Sequence, residues 1–516
     1  MNVLLINLTR FGDLIQTQPV IAGLRERGHR IGLACLENFV SATSLLKGVE
    51  RVFSFPGAGL LSGLDSDWRL AVRDVAAFRQ HVFDTFLPDI TINLTPSVAS
   101  RLLAFDLTPE SGVTRGFTVD EFGFNADTSS WAAFLQMAGA NRGASPFNIC
   151  DLFRRTAGLD REGNSLNLAV PDEVALARAD QLLGQAVDKG TGFIALQMGA
   201  SEDRRRWPVE NFAAVARMFH ERDGLIPVLL GTKAETALGG RFAGQVDFPY
   251  INCIGRTSLA ELAGILVRSR MLLTNDTGTM HLAAGLGVPL CAVFLATAQP
   301  WDTGPYRSGN ICLEPDMDCH PCEFGKPCLH GESCRRAVKP EAMYAYAASL
   351  LGGDKVDSSL GARAWCTRTG EDGFMELVPL SGHDATDRAA WIGLQRVHFS
   401  AFLDGRVKPA RTGLGGCIRP EMRAEISKTL TNARDMLFLL SQQGMLLQKN
   451  PRPQAKNKFL ASWQRLQSIF SSNKSLNILG LLWVFQTQQQ GGDFGALLDL
   501  AERYSALMSS LLDEFS

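Results

Sequence analysis

Short apolar runs alternate with amphipathic stretches over roughly the first 350 residues, and the alternation predicts parallel strands covered by helices on both faces. VLLINL from Val3 is apolar throughout, as a strand in the middle of such a sheet must be. A tight turn at 10–13 and a helix over 14–27 capped by Gly28 follow, and IGLACL from Ile31 completes a βαβ unit. Further strands are expected at 51–53 and 89–94. After the extended, Pro-containing passage SLNLAVPDEV at 165–174, strands recur at 192–197, 226–230, 250–254, 271–274 and 290–294 with amphipathic helices between them. Two facing, doubly wound Rossmann-like domains are expected, at 1–165 and 175–352, with ligands bound in the cleft at the carboxyl ends of the strands.

Beyond Gly352 the pattern changes. Residues 353–425 read as a linker region with a hairpin over 363–379, turning at 369–373, and a helix over 386–403. Residues 426–516 read as a helical extension: Ile426, Leu430, Ala433, Leu437, Leu440 and Leu447 form one apolar stripe, and Phe494, Leu497, Leu498, Ala501, Tyr504, Met508 and Leu511 another. These stripes pack on the chain itself or join copies into a homo-oligomer.

With 516 residues the chain exceeds the roughly 250–300 at which single cores stop growing. A net charge of −2 offers no global attraction to nucleic acid, so an anionic ligand must be met by a local basic site. MNVLLINLTR lacks a basic segment ahead of its apolar run and reads as a buried strand, not a leader. A cytoplasmic location with at most peripheral contact at the inner face of the inner membrane is expected.

Three motifs carry chemistry. The turn after the first strand, Arg10-Phe11-Gly12-Asp13, has one glycine where a dinucleotide oxidoreductase carries G-x-G-x-x-G, which counts against that class. It leaves Asp13 at the rim of the cleft as a general base or, alternatively, a helix cap. In LQMGASEDRRRWPVENF a strand end meets three arginines, and Ser201 and Arg205 are the candidate diphosphate contacts, the alternative being a solvated loop. In LLTNDTGTMHLAAGLGVP a buried strand ends at Asp276, Thr277 and Gly278, where a starting helix points unpaired N–H groups outward; His281 lies one turn on, reaching the donor or packing beneath the loop.

These pieces in this order, with Gly231 and Glu235 after the strand at 226–230, resemble the heptosyltransferase family of inverting GT-B glycosyltransferases, family 9, over roughly residues 1–350. NLTRFGDLIQTQPVIAGL, RRRWP and NDTGTMH carry the resemblance. It implies an acceptor-binding first domain and a nucleotide-sugar-binding second one. It implies that Asp13 is the catalytic base, that Ser201 and Arg205 touch the donor diphosphate, that Glu235 binds the nucleotide side, and that Asp276, Thr277 and Gly278 bind the sugar-phosphate end. ADP-heptose as donor, lipopolysaccharide core as product and no cofactor for catalysis are the corresponding expectations. The chain departs from the family at Arg205, where lysine is usual, and at Ala296, where glycine is frequent.

Cys319, Cys322, Cys328 and Cys334, spaced C-x2-C-x5-C-x5-C, are a candidate structural site for zinc or iron, with His320 and His330 as substitutes. The acceptor is a glycolipid or a protein, the latter making the chain a protein O-heptosyltransferase. A non-catalytic nucleotide-sugar-binding scaffold has no need of Asp13.

Overall fold

The computed structural model describes residues 1–64, 67–141, 143, 145–160, 165–185, 190–354, 356, 360–406, 409–490 and 493–516. The continuous apolar runs become two parallel sheets. The first holds β1 (Asn2–Ile6), β2 (Arg30–Leu36), β3 (Arg51–Phe55), β4 (Ile90–Asn93) and β5 (Val113–Gly116), ordered β3-β2-β1-β4-β5 and all parallel. Leu5 stands opposite Leu33 on one side and Ile92 on the other, all fully buried.

The second sheet holds β6 (Gly192–Gln197), β7 (Leu225–Leu230), β8 (Ile251–Asn252), β9 (Ser269–Asn275), β10 (Leu290–Val293), β11 (Ile311–Pro315), β12 (Ala362–Thr369) and β13 (Met375–Pro379), ordered β13-β12-β11-β10-β9-β6-β7-β8. Its strands are parallel from β8 through β11; β12 and β13 add antiparallel. The hairpin expected at 363–379 is therefore the edge of this sheet, which runs past Gly352. Trp365 of β12 donates from Nε1 to Glu314 of β11 at 2.8 Å, and His320 Nε2 meets the other carboxylate oxygen at 3.0 Å, so the added strands are tied by a buried polar cluster as well as by the ladder.

Strand order reverses between β1 and β4 and between β6 and β9. In open parallel sheets ligands bind beyond the carboxyl ends at such reversals. The helix expected at 14–27 is broken in two, Phe11–Ile15 and Gln18–Glu26, because Pro19 supplies no amide hydrogen to a continuous ladder. Gly28, at φ +79°, ends the second piece as expected.

The chain divides into two compact units. One comprises residues 1–118 and 147–382 and contains both sheets. The other comprises 119–146 and 383–516 and is helical: Ser130–Ala140, Asp387–Leu403, Pro420–Lys449, Pro453–Ser471, Asn477–Gln489 and Phe494–Asp513. Within it Ile426, Leu430, Ala433, Leu437 and Leu440 are buried along one face of the longest helix, while Leu447 is half-buried. Tyr504 is buried against Phe402 and Trp483, ring centroids 4.9 and 5.1 Å away, and its hydroxyl donates to Gln486 at 3.0 Å. Among the described residues no helix is long and apolar enough to cross a membrane.

Candidate active site

β1 delivers its turn to the first reversal point, and β6 and β9 deliver theirs to the second. Asp13 is not a helix cap: Arg10 occupies the N-cap of Phe11–Ile15 and Asp13 lies inside its only turn, half-exposed. That turn meets the start of the helix Gly278–Leu286. A Cβ on Gly12 would stand 3.4 Å from the Gly278 Cα and 3.4 Å from the His281 ring, and a Cβ on Gly278 would stand 2.6 Å from the Phe11 ring. Glycine at both positions lets the two segments touch. His281 is 5% exposed, its ring 3.4 Å from where a Cβ on Gly12 would stand.

Arg205, 7% exposed, donates from Nη1 to Ser201 Oγ at 3.1 Å and from Nη2 to the Asp276 carboxylate, whose Oδ2 also accepts from Thr303 Oγ1 at 3.4 Å. The basic segment is therefore not a solvated loop at Arg205. Its Nε is buried without a partner among the described residues. A fixed guanidinium with an uncommitted, desolvated donor suits an incoming oxyanion.

Glu235 sits between the loops after β6 and β7. Its carboxylate accepts from the Thr232 amide at 2.6 Å and hydroxyl at 3.0 Å, closing a capping box, and from Gln197 Nε2 at 3.1 Å. Gly199 leaves it room, since a Cβ there would stand 1.3 Å from Glu235 Oε1. Gln197 in turn accepts from Thr279 Oγ1 at 3.4 Å. One polar chain thus links Glu235 to the helix that carries Asp276, Thr277 and Gly278 at its start, where Thr277 is the N-cap and makes no side-chain cap bond.

Asn275 organises the site and is not singled out by the sequence. Fully buried, it accepts from the Trp207 amide at 2.9 Å and donates to the carbonyls of Met198 and Gly199 at 2.9 and 3.0 Å. It joins the end of β9 to the segments carrying Ser201 and Arg205. Trp207, buried, donates from its indole to the Val338 carbonyl at 3.0 Å and so anchors the basic segment from below.

The cysteine loop braces the same segment from another side: Arg204 donates to the Lys326 carbonyl at 3.0 Å, and Arg335 to the Arg206 carbonyl at 2.9 Å. Among the described residues no three His, Cys, Asp or Glu groups gather closely enough to hold a metal ion. Cys328 is exposed and accepts from the amides of His330 and Glu332, while Cys334 is buried and Cys319 and Cys322 are half-buried. Burial pushes the Cys322 thiol up, and the neighbouring Cys334, Cys319 and Cys328 add to it. His320 is committed to Glu314. Ala296, whose carbonyl accepts from the Cys322 amide at 2.8 Å, has φ +54°, the left-handed region that favours glycine.

Residues 147–332 match the model of glycosyltransferase family 9 (heptosyltransferase). Lipopolysaccharide heptosyltransferase 1 of Pseudomonas aeruginosa is 29% identical over 166 residues, 32% of this chain and 46% of that protein. Lipooligosaccharide heptosyltransferase 2 of Campylobacter jejuni is 30% identical over 168 residues, 31% of this chain and 52% of that protein. The chain spans about half the length of these curated relatives. Among solved structures, the family 9 glycosyltransferase of Veillonella parvula superposes with a TM-score of 0.55 at 20% identity, covering 68% of this chain and 97% of that one. The ADP-heptose LPS heptosyltransferase II of Escherichia coli does so at 0.50 and 16%, covering 68% and 98%. The heptosyltransferase resemblance carried by the motifs is borne out, and the fold is that of these GT-B enzymes with helical material added.

Proposed function

We propose that the chain is an inverting glycosyltransferase that moves a heptose from ADP-heptose to an acceptor hydroxyl in lipopolysaccharide core assembly. The observation that carries the reading is the meeting of the Asp13 turn with the Gly278–Leu286 helix start, beside the locked Arg205–Asp276 pair. The turn that carries the Asp13 carboxylate thus meets the helix start beside which the Arg205 guanidinium is held, each at a reversal of strand order.

In the reaction the acceptor oxygen forms a bond to the anomeric carbon as the bond from that carbon to the diphosphate breaks. Asp13 takes the hydroxyl proton, configuration inverts, and ADP leaves with the bonding pair. Arg205, held by Ser201 and Asp276, stabilises the charge that develops on the diphosphate, with the amides at Thr277 and Gly278 adding to it. Glu235 holds the nucleotide side. No metal or cofactor takes part.

The assignment is tested by thermal unfolding with ADP-heptose, UDP-sugars and GDP-sugars, on wild type and Asp13→Ala together. A ligand that binds only the folded chain raises the midpoint by mass action. ADP-heptose alone should raise it in both proteins. A folded protein that no nucleotide sugar stabilises is incompatible with the assignment.

A further inference from the structure

The helical unit contains a cavity of about 460 Å³ between the helices Asp387–Leu403 and Phe494–Asp513 and the first turn of Ser130–Ala140. Leu403 and Leu507, both buried, supply apolar wall, and Arg503, Ser130, His398 and Ser510 supply polar wall. Its size falls within the range of sites for small organic molecules.

The charges around it are unequally satisfied. Asp404 in the lining, its side chain buried, is engaged by Arg406 and by the Trp131 indole at 2.8 Å. His398 is held between Ser510 Oγ at 2.8 Å and Glu514 Oε1 at 2.9 Å, and the Glu514 carboxylate also accepts from the amides of Thr412 and Gly413. Arg503 is different. It lies over the Phe402 ring, 5.2 Å from its centroid, and donates from Nη2 to the Phe402 carbonyl at 3.0 Å and towards Ser130 Oγ at 3.5 Å. Among the described residues it meets no carboxylate, and its Nε and Nη1 make no hydrogen bond. A half-buried cation beside apolar wall, with two donors uncommitted and the neighbouring carboxylates taken, leaves one charge to be balanced inside the cavity. The first turn of Ser130–Ala140, which brings Ser130 to the same wall, favours the same sign of ligand.

We infer that this cavity binds a small amphipathic anion, its carboxylate or phosphate on Arg503 and Ser130 and its apolar stem between Leu403 and Leu507. The site is assigned no part in sugar transfer, so it stands or falls independently of the proposed activity.

Isothermal titration of the full chain with hexanoate, hexyl phosphate, inorganic phosphate and hexanol tests this. One equivalent of hexanoate or hexyl phosphate should bind, the tighter of the two identifying the headgroup. Inorganic phosphate should bind at least about tenfold more weakly, and hexanol not measurably, because charge and stem act together. Arg503→Met should weaken the organic anion by about tenfold or more. Ala506→Trp, at an exposed lining position, should block it while leaving Arg503 in place, with circular dichroism confirming that both variants fold. The inference is overturned if neither organic anion binds wild type, if hexanol binds as tightly as hexanoate, or if both folded variants bind as wild type does.

Discussion

Asn275 holds three backbone groups from two segments with one amide, so its removal has a cost at a distance from any ligand. Asn275→Ala strands the Trp207 amide and the Met198 and Gly199 carbonyls in a buried site and should lower unfolding free energy by about 3 kcal/mol, read by urea denaturation. Gly199→Ala acts more narrowly. Its new Cβ would occupy the place of Glu235 Oε1, forcing that carboxylate out, and the donor KM should rise about tenfold while kcat changes less. Thiol reactivity follows exposure and burial: iodoacetamide at pH 8 should modify Cys328 and Cys417 first. Burial pushes the Cys35 thiol up to about 11, and burial also holds those of Cys150 and Cys312 well up, so these should resist modification in the folded chain. Asp276 and Arg205 could be read from sequence because strand ends and arginine clusters are local signals. Asn275 could not, because what it does depends on which carbonyls the fold brings to it.

Most strands are legible because a strand buried on both faces must be apolar throughout, as β1, β7 and β10 are. The two missed ones break that rule for stated reasons. β5 reads Val-Thr-Arg-Gly and sits at a sheet edge, where Val113 is exposed and Thr114 and Arg115 are half-buried. β11 contains Glu314, whose buried carboxylate is met by Trp365, distant in sequence, and His320, around a loop. Trp365→Phe should therefore cost about 1–3 kcal/mol through the bond Glu314 loses, seen as a lower urea midpoint. The loop after β10 holds the opposite case. Ala296 keeps a side chain in left-handed backbone, so Ala296→Gly should raise stability by about 0.5–1 kcal/mol by the same measurement.

At the scale of the molecule, the apolar stripes beyond residue 426 predicted packed helices correctly, yet gave no hint that residues 119–146, from the middle of the first half, share a unit with them. Periodicity reports which face of a helix is buried and is silent about its partner. In the helical unit, burial pushes the Glu514 carboxyl up, but the Thr412 amide, His398 and the Thr412 hydroxyl hold it below the usual glutamate value. A depressed folded pKa gives stability that is present above the unfolded value of about 4.3 and lost as pH falls through the folded one. Wild type should therefore lose stability on acidification from pH 6 to 3, and Glu514→Gln should lose less over the same interval, read by urea unfolding.

The central claim is sugar transfer with Asp13 as base, and the most direct measurement is the rate of ADP release from ADP-heptose in the presence of heptose-free lipopolysaccharide core, for wild type and Asp13→Asn at equal donor occupancy. The account predicts release by wild type that requires the acceptor, and a kcat at least about 100-fold lower in the variant, with donor affinity unchanged, because general-base catalysis contributes about 10²–10⁴ in rate. Transfer by Asp13→Asn at the wild-type rate would contradict it.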